Sequence, residues 1–205
     1  MAGVIYGFLL IFAVLGLATL LEKRGLLNSE GSRKFIHIGV AHWVIVVFLL
    51  VDNVWLALIA PIIFIIVNAI SFRFDLIKAM ERDDKSNADL GTVYYAITLT
   101  VITYLAYQFD LKMLGMFAIL VMGYGDGLSA VLGQAYGQIK LYQKKSLVGS
   151  LTVFTSALVL GAIFLDILIF IPLALAAALI ELFTPHGFDN LSVPLGLFLM
   201  GWLFI

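Results

Sequence analysis

Long uncharged apolar runs recur along the whole sequence and constrain its fold more than any other feature. Five of them approach the roughly 20 residues that an α-helix needs to cross a bilayer: 2–21, 35–51, 53–72, 90–109 and 146–165. Three shorter runs follow the same pattern: 113–125, 167–180 and 190–205. Hydrophobic residues make up 63% of the 205 and charged residues only 12%, which soluble domains do not show. The sequence predicts an all-α, polytopic membrane protein with about eight transmembrane helices in one domain, 1–205.

Charge and cysteine content exclude other classes of protein. The formal net charge is −1, so no basic surface is available to attract a nucleic acid. The chain has no cysteine, which excludes disulfides, thiolate metal sites and cysteine nucleophiles. The amino-terminal run is too long, and its start too poor in Lys and Arg, for a cleaved signal peptide. We therefore interpret it as the first membrane helix.

The connections between the predicted helices alternate between rich and poor in Lys and Arg. Four of these residues precede the second helix, four the fourth and three the sixth, whereas the intervening connections hold one at most. By the positive-inside rule, the rich connections are cytoplasmic. Most polar clusters fall on this same side: 33–37, 87–95, 123–127, 144–150 and 181–190. The sequence therefore predicts a multi-pass protein whose active site faces the cytoplasm.

The segment MGYGDGLSA, residues 122–130, places a carboxylate at the end of an apolar run. An unpaired Asp126 would cost roughly 3 kcal/mol there, so it requires a partner. Mg²⁺ prefers hard oxygen ligands, and Glu181, Asp189 and Asn190 from the far end of the chain can share it with Asp126. The alternative is that Asp126 caps a helix beginning at Gly127 or pairs with a lysine.

Three glycines surround this carboxylate: Gly123, Gly125 and Gly127. Glycine permits positive φ and a close approach of the backbone to a ligand. A helix that starts after Asp126 would direct its free N–H groups towards an anion such as phosphate. The pattern therefore predicts a turn that binds the phosphates of a nucleotide.

Small residues recur every four positions further along, at Ser129, Gly133 and Gly137. They fit either nucleotide binding or a face for close helix packing, and packing is the favoured interpretation.

A second candidate nucleotide segment lies further along the chain: Lys144, Lys145, Ser146 and Gly149. Its two lysines can supply positive charge to phosphates, and its serine can cap the next helix. Basic residues at this boundary are also ordinary topology signals.

The start of the second helix carries Arg33, Lys34 and His37. Arg33 and His37 share one helix face, from which they can reach a phosphate or a substrate hydroxyl. His42 lies in an apolar stretch and is interpreted as a packing residue. Thr92 and Tyr95 are candidate substrate contacts on the fourth helix.

In these residues the sequence resembles the polyprenol kinase family, which includes dolichol and phytol kinases. The family's pattern D-x-x-A-x-x-x-G-x-x-x-G is matched at Asp126, Gly133 and Gly137, and K-K-T-x-E-G at Lys144, Lys145 and Gly149. R-K-x-x-H is matched at 33–37, L-G-T at 90–92 and D-N-L-x-V-P at 189–194. Ser129 replaces the usual Ala, Ser146 the usual Thr, and Val148 an acidic residue.

The resemblance implies transfer of a phosphoryl group from CTP to a lipid alcohol such as phytol, geranylgeraniol or dolichol. It assigns catalytic roles to Asp126, Arg33, Lys34, His37 and Asp189, and substrate contacts to Thr92, Tyr95 and Asn190. The expected metal ligands are Asp126, Asp189 and Glu181, with Mg²⁺ as cofactor. Three alternatives stay open: a CTP-dependent diacylglycerol kinase, a CDP-lipid synthase and, with less support, a transporter. Oligomeric state is not predicted.

Overall fold

Helices dominate the computed structural model, which describes residues 1–74, 90–143, 145–185 and 187–205. Nine helices occur in these ranges: α1 (Ala2–Lys23), α2 (Ser29–Ala41), α3 (Trp43–Leu50), α4 (Val54–Phe74), α5 (Gly91–Gln108), α6 (Lys112–Tyr136), α7 (Leu147–Phe164), α8 (Ile167–Phe183) and α9 (Asp189–Trp202). One antiparallel hairpin joins α6 to α7, formed by β1 (Lys140–Tyr142) and β2 (Lys145–Ser146). The predicted all-α class is confirmed, although the hairpin was not expected.

The number of membrane-length helices is smaller than predicted. α2 and α3 meet at His42, whose φ of −66° and ψ of −15° keep the backbone helical, so the two form one rod. With this pair counted once, the described ranges contain eight rods, as predicted. Five of them are long and apolar enough to cross a bilayer: α1, α2 with α3, α4, α6 and α7. α8 has 17 residues and α9 only 14, while α5 has 18 but carries more polar side chains.

α6 lies at the centre of the bundle. Of its most apolar 18 residues, 67% are buried, whereas only 17% of the corresponding residues are buried in α1 at the periphery. It packs against α2, α3, α5, α7 and α9, and Phe117 and Ile119 have no exposed surface. On the outer helices large apolar side chains stay exposed, as at Phe12 and Leu168. A bilayer would cover this surface.

The polar segments gather at one end of the bundle. The connections that the structure describes between successive rods are short, so neighbouring rods run in opposite directions. The starts of α2, α7 and α9 therefore lie at the same end as the last turns of α1, α6 and α8. The start of α5 lies beside the last turns of α4, because Asn68 of α4 donates a hydrogen bond to the Thr92 carbonyl. This end holds the predicted site residues, and its orientation towards the cytoplasm stays a prediction.

Candidate active site

Glycines allow α2 and α6 to approach each other closely. A Cβ added at Gly123 would lie 2.5 Å from Ala41 Cβ, and one added at Gly127 would lie 2.5 Å from Ile38 Cγ1. Both distances are far shorter than a normal contact, so any other residue would push the helices apart. The polar side chains of the two helices are thereby brought into direct contact.

Asp126 on α6 forms a buried cluster with two residues of α2. Its Oδ2 lies 2.7 Å from Lys34 Nζ and 3.3 Å from His37 Nε2. The Lys34 side chain is only 2% exposed, so the ion pair is shielded from water. Tyr95 of α5 holds the other side of His37: its hydroxyl donates to the His37 carbonyl at 3.0 Å, and the two ring centroids are 4.4 Å apart. The structure therefore gives Asp126 a lysine partner, which was the stated alternative to a metal.

The expected glycine turn around Asp126 is not formed. α6 continues without interruption from Lys112 to Tyr136, so Gly123, Gly125 and Gly127 are helical residues. The prediction of positive φ and of a new helix start was wrong. Glycine disfavours a helix by about 1 kcal/mol per residue, but packing against α2 holds these residues in the helix. A role for them in nucleotide binding stays a prediction.

A second charged cluster joins β2, α8 and the start of α9. Lys145 Nζ lies 2.8 Å from Glu181 Oε1 and 3.6 Å from Asp189 Oδ2, and it also donates to the Glu181 carbonyl. The other carboxylate oxygen of Asp189 accepts hydrogen bonds from the backbone N–H groups of Gly187 and Asn190, both at 3.1 Å. Lys145 thus holds two carboxylates from separate helices together.

The two clusters share a small cavity, in which about 220 Å³ is empty when the open space at its mouth is included. Its polar wall consists of Asp126, Glu181 and Asp189, and valines and one methionine form the rest. These three carboxylates come from three different helices. The sequence had predicted that they would lie on one face, and the structure brings them to one cavity.

The donor atoms at this cavity suit Mg²⁺ in chemistry. Glu181 Oε2 is buried and has no hydrogen-bond partner in the described ranges, which leaves one oxygen for a further ligand. In the part of the chain that the structure describes, no three His, Asp or Glu side chains lie close enough to form a complete metal site. Mg²⁺ sites at nucleotides commonly use one or two carboxylates together with phosphates and waters. The residues therefore fit a magnesium ion that binds with a nucleotide.

The two halves of the predicted nucleotide segment pack against each other. Ser146 Oγ accepts a hydrogen bond from Gly149 N at 3.2 Å, which confirms that Ser146 caps α7. A Cβ added at Gly137 or Gly133 would lie 2.4 or 3.1 Å from this same Oγ. One added at Gly149 would lie 3.6 Å from the Ser129 carbonyl. Close packing of these small residues is confirmed, and their contact with a nucleotide stays a prediction.

Lys144 and Val148 also belong to this segment. Lys144, predicted as a nucleotide contact, lies outside the described residues. Val148 lies half-buried in the first turn of α7, where the family pattern expects an acidic residue. Glu181 and Asp189 supply carboxylates close to this turn, through their contact with Lys145.

A large apolar cavity opens on the other side of His37. About 880 Å³ of empty space, including the open space at its mouth, lies here between α1, α2, α3, α4 and α5, and side chains such as Leu15, Trp43, Phe64 and Leu99 form its wall. The longer helices build most of this wall.

Polar residues are also part of the wall of the apolar cavity. Five of them were predicted as site residues: Arg33, His37, Thr92, Tyr95 and Asn190. Arg33 also pairs with Glu30, with its Nη2 2.6 Å and its Nε 3.1 Å from the two carboxylate oxygens.

Sequence reasoning missed one polar residue of this wall, Asn68 of α4. A buried amide in an otherwise apolar membrane helix is itself a signal of function, and that signal was available. By contrast, His42 was correctly interpreted as a packing residue. Its ring nitrogens contact the Ile38 carbonyl at 2.9 Å and the Tyr124 hydroxyl at 3.1 Å.

Relatives of this chain are named as phytol kinases. A phytol kinase of Synechocystis sp. is 30% identical over an alignment 203 residues long, with 93% of this chain and 86% of that protein covered. The chain belongs to the polyprenol and phytol kinase family. A probable chloroplastic phytol kinase of Triticum aestivum is 28% identical, with 89% of this chain and 70% of the wheat protein covered. No family model and no solved structure matches the chain.

Membership of this family makes the chain a membrane kinase. Its motif residues, far apart in sequence, are the ones that meet in the structure: Lys34 with His37 and Asp126, and Lys145 with Asp189.

Proposed function

We propose that this protein transfers the γ-phosphoryl group of CTP to the hydroxyl of an isoprenoid alcohol, with phytol as the first candidate. One observation supports the proposal above the others: His37 lies in the wall of the large apolar cavity and contacts Asp126, which lies in the wall of the small carboxylate cavity. A lipid acceptor and a nucleotide donor can therefore meet at this histidine and aspartate.

The apolar cavity is the proposed binding site for the alcohol. Its wall suits an isoprenoid chain, and its polar residues include His37, to which the hydroxyl would be directed. His37 Nε2 faces Asp126 at 3.3 Å, so the second ring nitrogen, Nδ1, is the one that can accept the hydroxyl proton. Asp126 orients the ring and stabilises the imidazolium that forms, as buried carboxylates do beside catalytic histidines.

The nucleotide is proposed to bind on the side of Lys145 and the Ser146 cap. Lys145, and Lys144 beside it in sequence, would neutralise the phosphates. Gly133, Gly137 and Gly149 allow the end of α6 and the start of α7 to pack closely around Ser146. Lys34 and Arg33 on α2 would stabilise the charge on the transferring group from the opposite side.

Mg²⁺ is proposed to bind with the nucleotide through one or two of the carboxylates of Asp189, Glu181 and Asp126, with phosphates and waters as its other ligands. When bound, it would neutralise charge on the phosphate oxygens. Lys145 now pairs with two of these carboxylates, so a nucleotide would compete for the lysine and leave their oxygens available.

The reaction balances as a direct displacement. The hydroxyl oxygen of the alcohol forms a bond to the γ-phosphorus, and the bond from that phosphorus to the bridging oxygen of CTP breaks. CDP leaves with the electron pair of that bond. The hydroxyl proton passes to His37, and the products are CDP and a lipid monophosphate.

Product analysis tests this function. Purified protein is incubated with Mg²⁺, phytol and CTP labelled at its γ-phosphate. We expect labelled phytyl phosphate together with unlabelled CDP. Two parallel reactions replace phytol by phosphatidate or by diacylglycerol. With phosphatidate, label released as pyrophosphate together with a cytidylated lipid would instead identify a CDP-lipid synthase. Transfer of label to diacylglycerol but not to phytol would identify a diacylglycerol kinase. Parallel reactions with ATP and GTP test the choice of CTP.

A further inference from the structure

Two buried amides are part of the wall of the apolar cavity. Asn68 belongs to α4 and is 8% exposed, and Asn190 lies in the first turn of α9 and is 6% exposed. Burial of an amide in apolar surroundings is unfavourable unless its polar atoms form hydrogen bonds. The partners of these amides therefore indicate what they do.

Consecutive carbonyls at the start of α5 bind the N–H groups of the two amides. Asn68 Nδ2 donates to the Thr92 carbonyl at 3.0 Å, and Asn190 Nδ2 donates to the Gly91 carbonyl at 3.2 Å. These bonds fix the orientation of each amide, because a flipped amide would place its oxygen against a carbonyl oxygen.

The two amide oxygens have no such partner. Asn68 Oδ1 and Asn190 Oδ1 are both buried without a hydrogen bond to any residue that the structure describes. Each belongs to a side chain of the cavity wall. The cavity thus combines an apolar interior with two unused hydrogen-bond acceptors, which suits a ligand with an apolar body and one O–H donor.

We infer that Asn68 and Asn190 form the subsite in which the hydroxyl of the acceptor alcohol binds before its proton passes to His37. The single O–H donates to one of the two amide oxygens at a time, and Asn68 is the specificity residue. The inference rests on the proposed function and adds to it a reason why the substrate must be an alcohol. An ether or hydrocarbon of the same length has no donor for these oxygens. The phosphorylated product has lost the donor too and carries negative charge, so the same oxygens favour its release.

Asn68 can be replaced without leaving a backbone group unpaired. The Thr92 carbonyl lies in the first turn of α5, where it can also accept the regular helical bond from four residues on. Leu is close to Asn in size, so the Asn68→Leu variant should fold. Thr103→Val is the matched control. The Thr103 side chain is buried and, like Asn68, has a buried oxygen without a hydrogen-bond partner among the described residues, but Thr103 does not belong to the wall of the apolar cavity.

The test compares an alcohol with its ether. Purified protein in detergent is equilibrated with tritiated phytol, with and without Mg²⁺ and CDP, and the label is displaced with unlabelled phytol or phytyl methyl ether. In the wild type we expect the ether to compete at least about tenfold more weakly. Asn68→Leu should reduce this ratio to within about twofold, while Thr103→Val should preserve it. In the kinase assay, Asn68→Leu should raise KM for phytol about tenfold with little change in kcat.

The outcomes separate this inference from the proposed function. Equal competition by alcohol and ether in the wild type would overturn the hydroxyl subsite but not the kinase, because phytol would still bind and react. A folded Asn68→Leu variant that still binds phytol about tenfold more tightly than the ether would also overturn the hydroxyl subsite but not the kinase. If the wild type neither retains tritiated phytol nor phosphorylates it, both the proposed function and this inference are overturned.

Discussion

The buried ion pair between Lys34 and Asp126 provides a quantitative prediction. Its atoms are 2.7 Å apart and its lysine is 2% exposed, so at an effective dielectric constant of 20 the attraction is about 6 kcal/mol. Desolvation of both charges offsets much of this energy in the folded state. Removal of one partner leaves the other charge buried and unpaired, which typically costs roughly 3–5 kcal/mol.

We therefore expect Lys34→Met and Asp126→Asn to act strongly and non-additively. A loss of 3–5 kcal/mol lowers the unfolding midpoint of a chain of this size by about 10 °C. The double variant should be more stable than the sum of the single losses predicts, by about 3 kcal/mol. Thermal unfolding of all four forms in detergent measures this coupling, with Lys23→Met on the exposed end of α1 as control. Additive losses, or a Lys34→Met midpoint equal to that of the control, would refute a coupled buried pair.

Three further predictions concern packing, capping and metal. Gly123→Ala should lower the free energy of unfolding by about 1–3 kcal/mol, because the added Cβ would lie 2.5 Å from Ala41 Cβ. Gly125→Ala is its control: the added Cβ would lie 3.5 Å from Val153 Cγ1, an ordinary contact, so this variant should be as stable as the wild type or slightly more stable in the same unfolding assay. Ser146→Ala should cost about 1 kcal/mol through loss of the α7 cap, again read from the unfolding midpoint. Chelation of divalent cations with EDTA should abolish label transfer but leave tritiated phytol bound, and added Mg²⁺ should restore transfer.

The sequence predicted the helices well because a bilayer imposes their length and composition. The apolar run 53–72 became α4, Val54–Phe74, and the run 146–165 became α7, Leu147–Phe164. Hydropathy identified these rods without any knowledge of their neighbours. The runs 167–180 and 190–205 were correctly expected to be short, as α8 and α9 are. Hydropathy did not reveal that the short run 113–125 would extend through polar residues into the 25 residues of α6.

The glycine-rich segment shows where local reasoning failed. Gly123 and Gly127 belong to a glycine-rich segment, and the low helix propensity of glycine favours a turn there. Their helical state depends on Ala41 and Ile38, which lie more than eighty residues earlier in the sequence and fill the space that a side chain would need. Propensity holds no information about such a partner.

The sequence predicted which carboxylates lie at the candidate site, but not which lysine pairs with each of them. Asp126, Glu181 and Asp189 were expected at one face and do line one cavity. That Lys34 is the partner of Asp126 could not be read from the sequence, since several lysines lie at the same end of the bundle.

The most direct test of the proposed active site is the turnover of the Asp126→Asn variant with CTP and phytol. Asparagine preserves the size of the side chain but removes the charge that lies 3.3 Å from His37 Nε2 and pairs with Lys34. If the site works as proposed, kcat falls by at least about 100-fold, while the variant, assayed below its unfolding midpoint, still binds tritiated phytol. A folded Asp126→Asn protein that phosphorylates phytol at a near-normal rate would contradict the account.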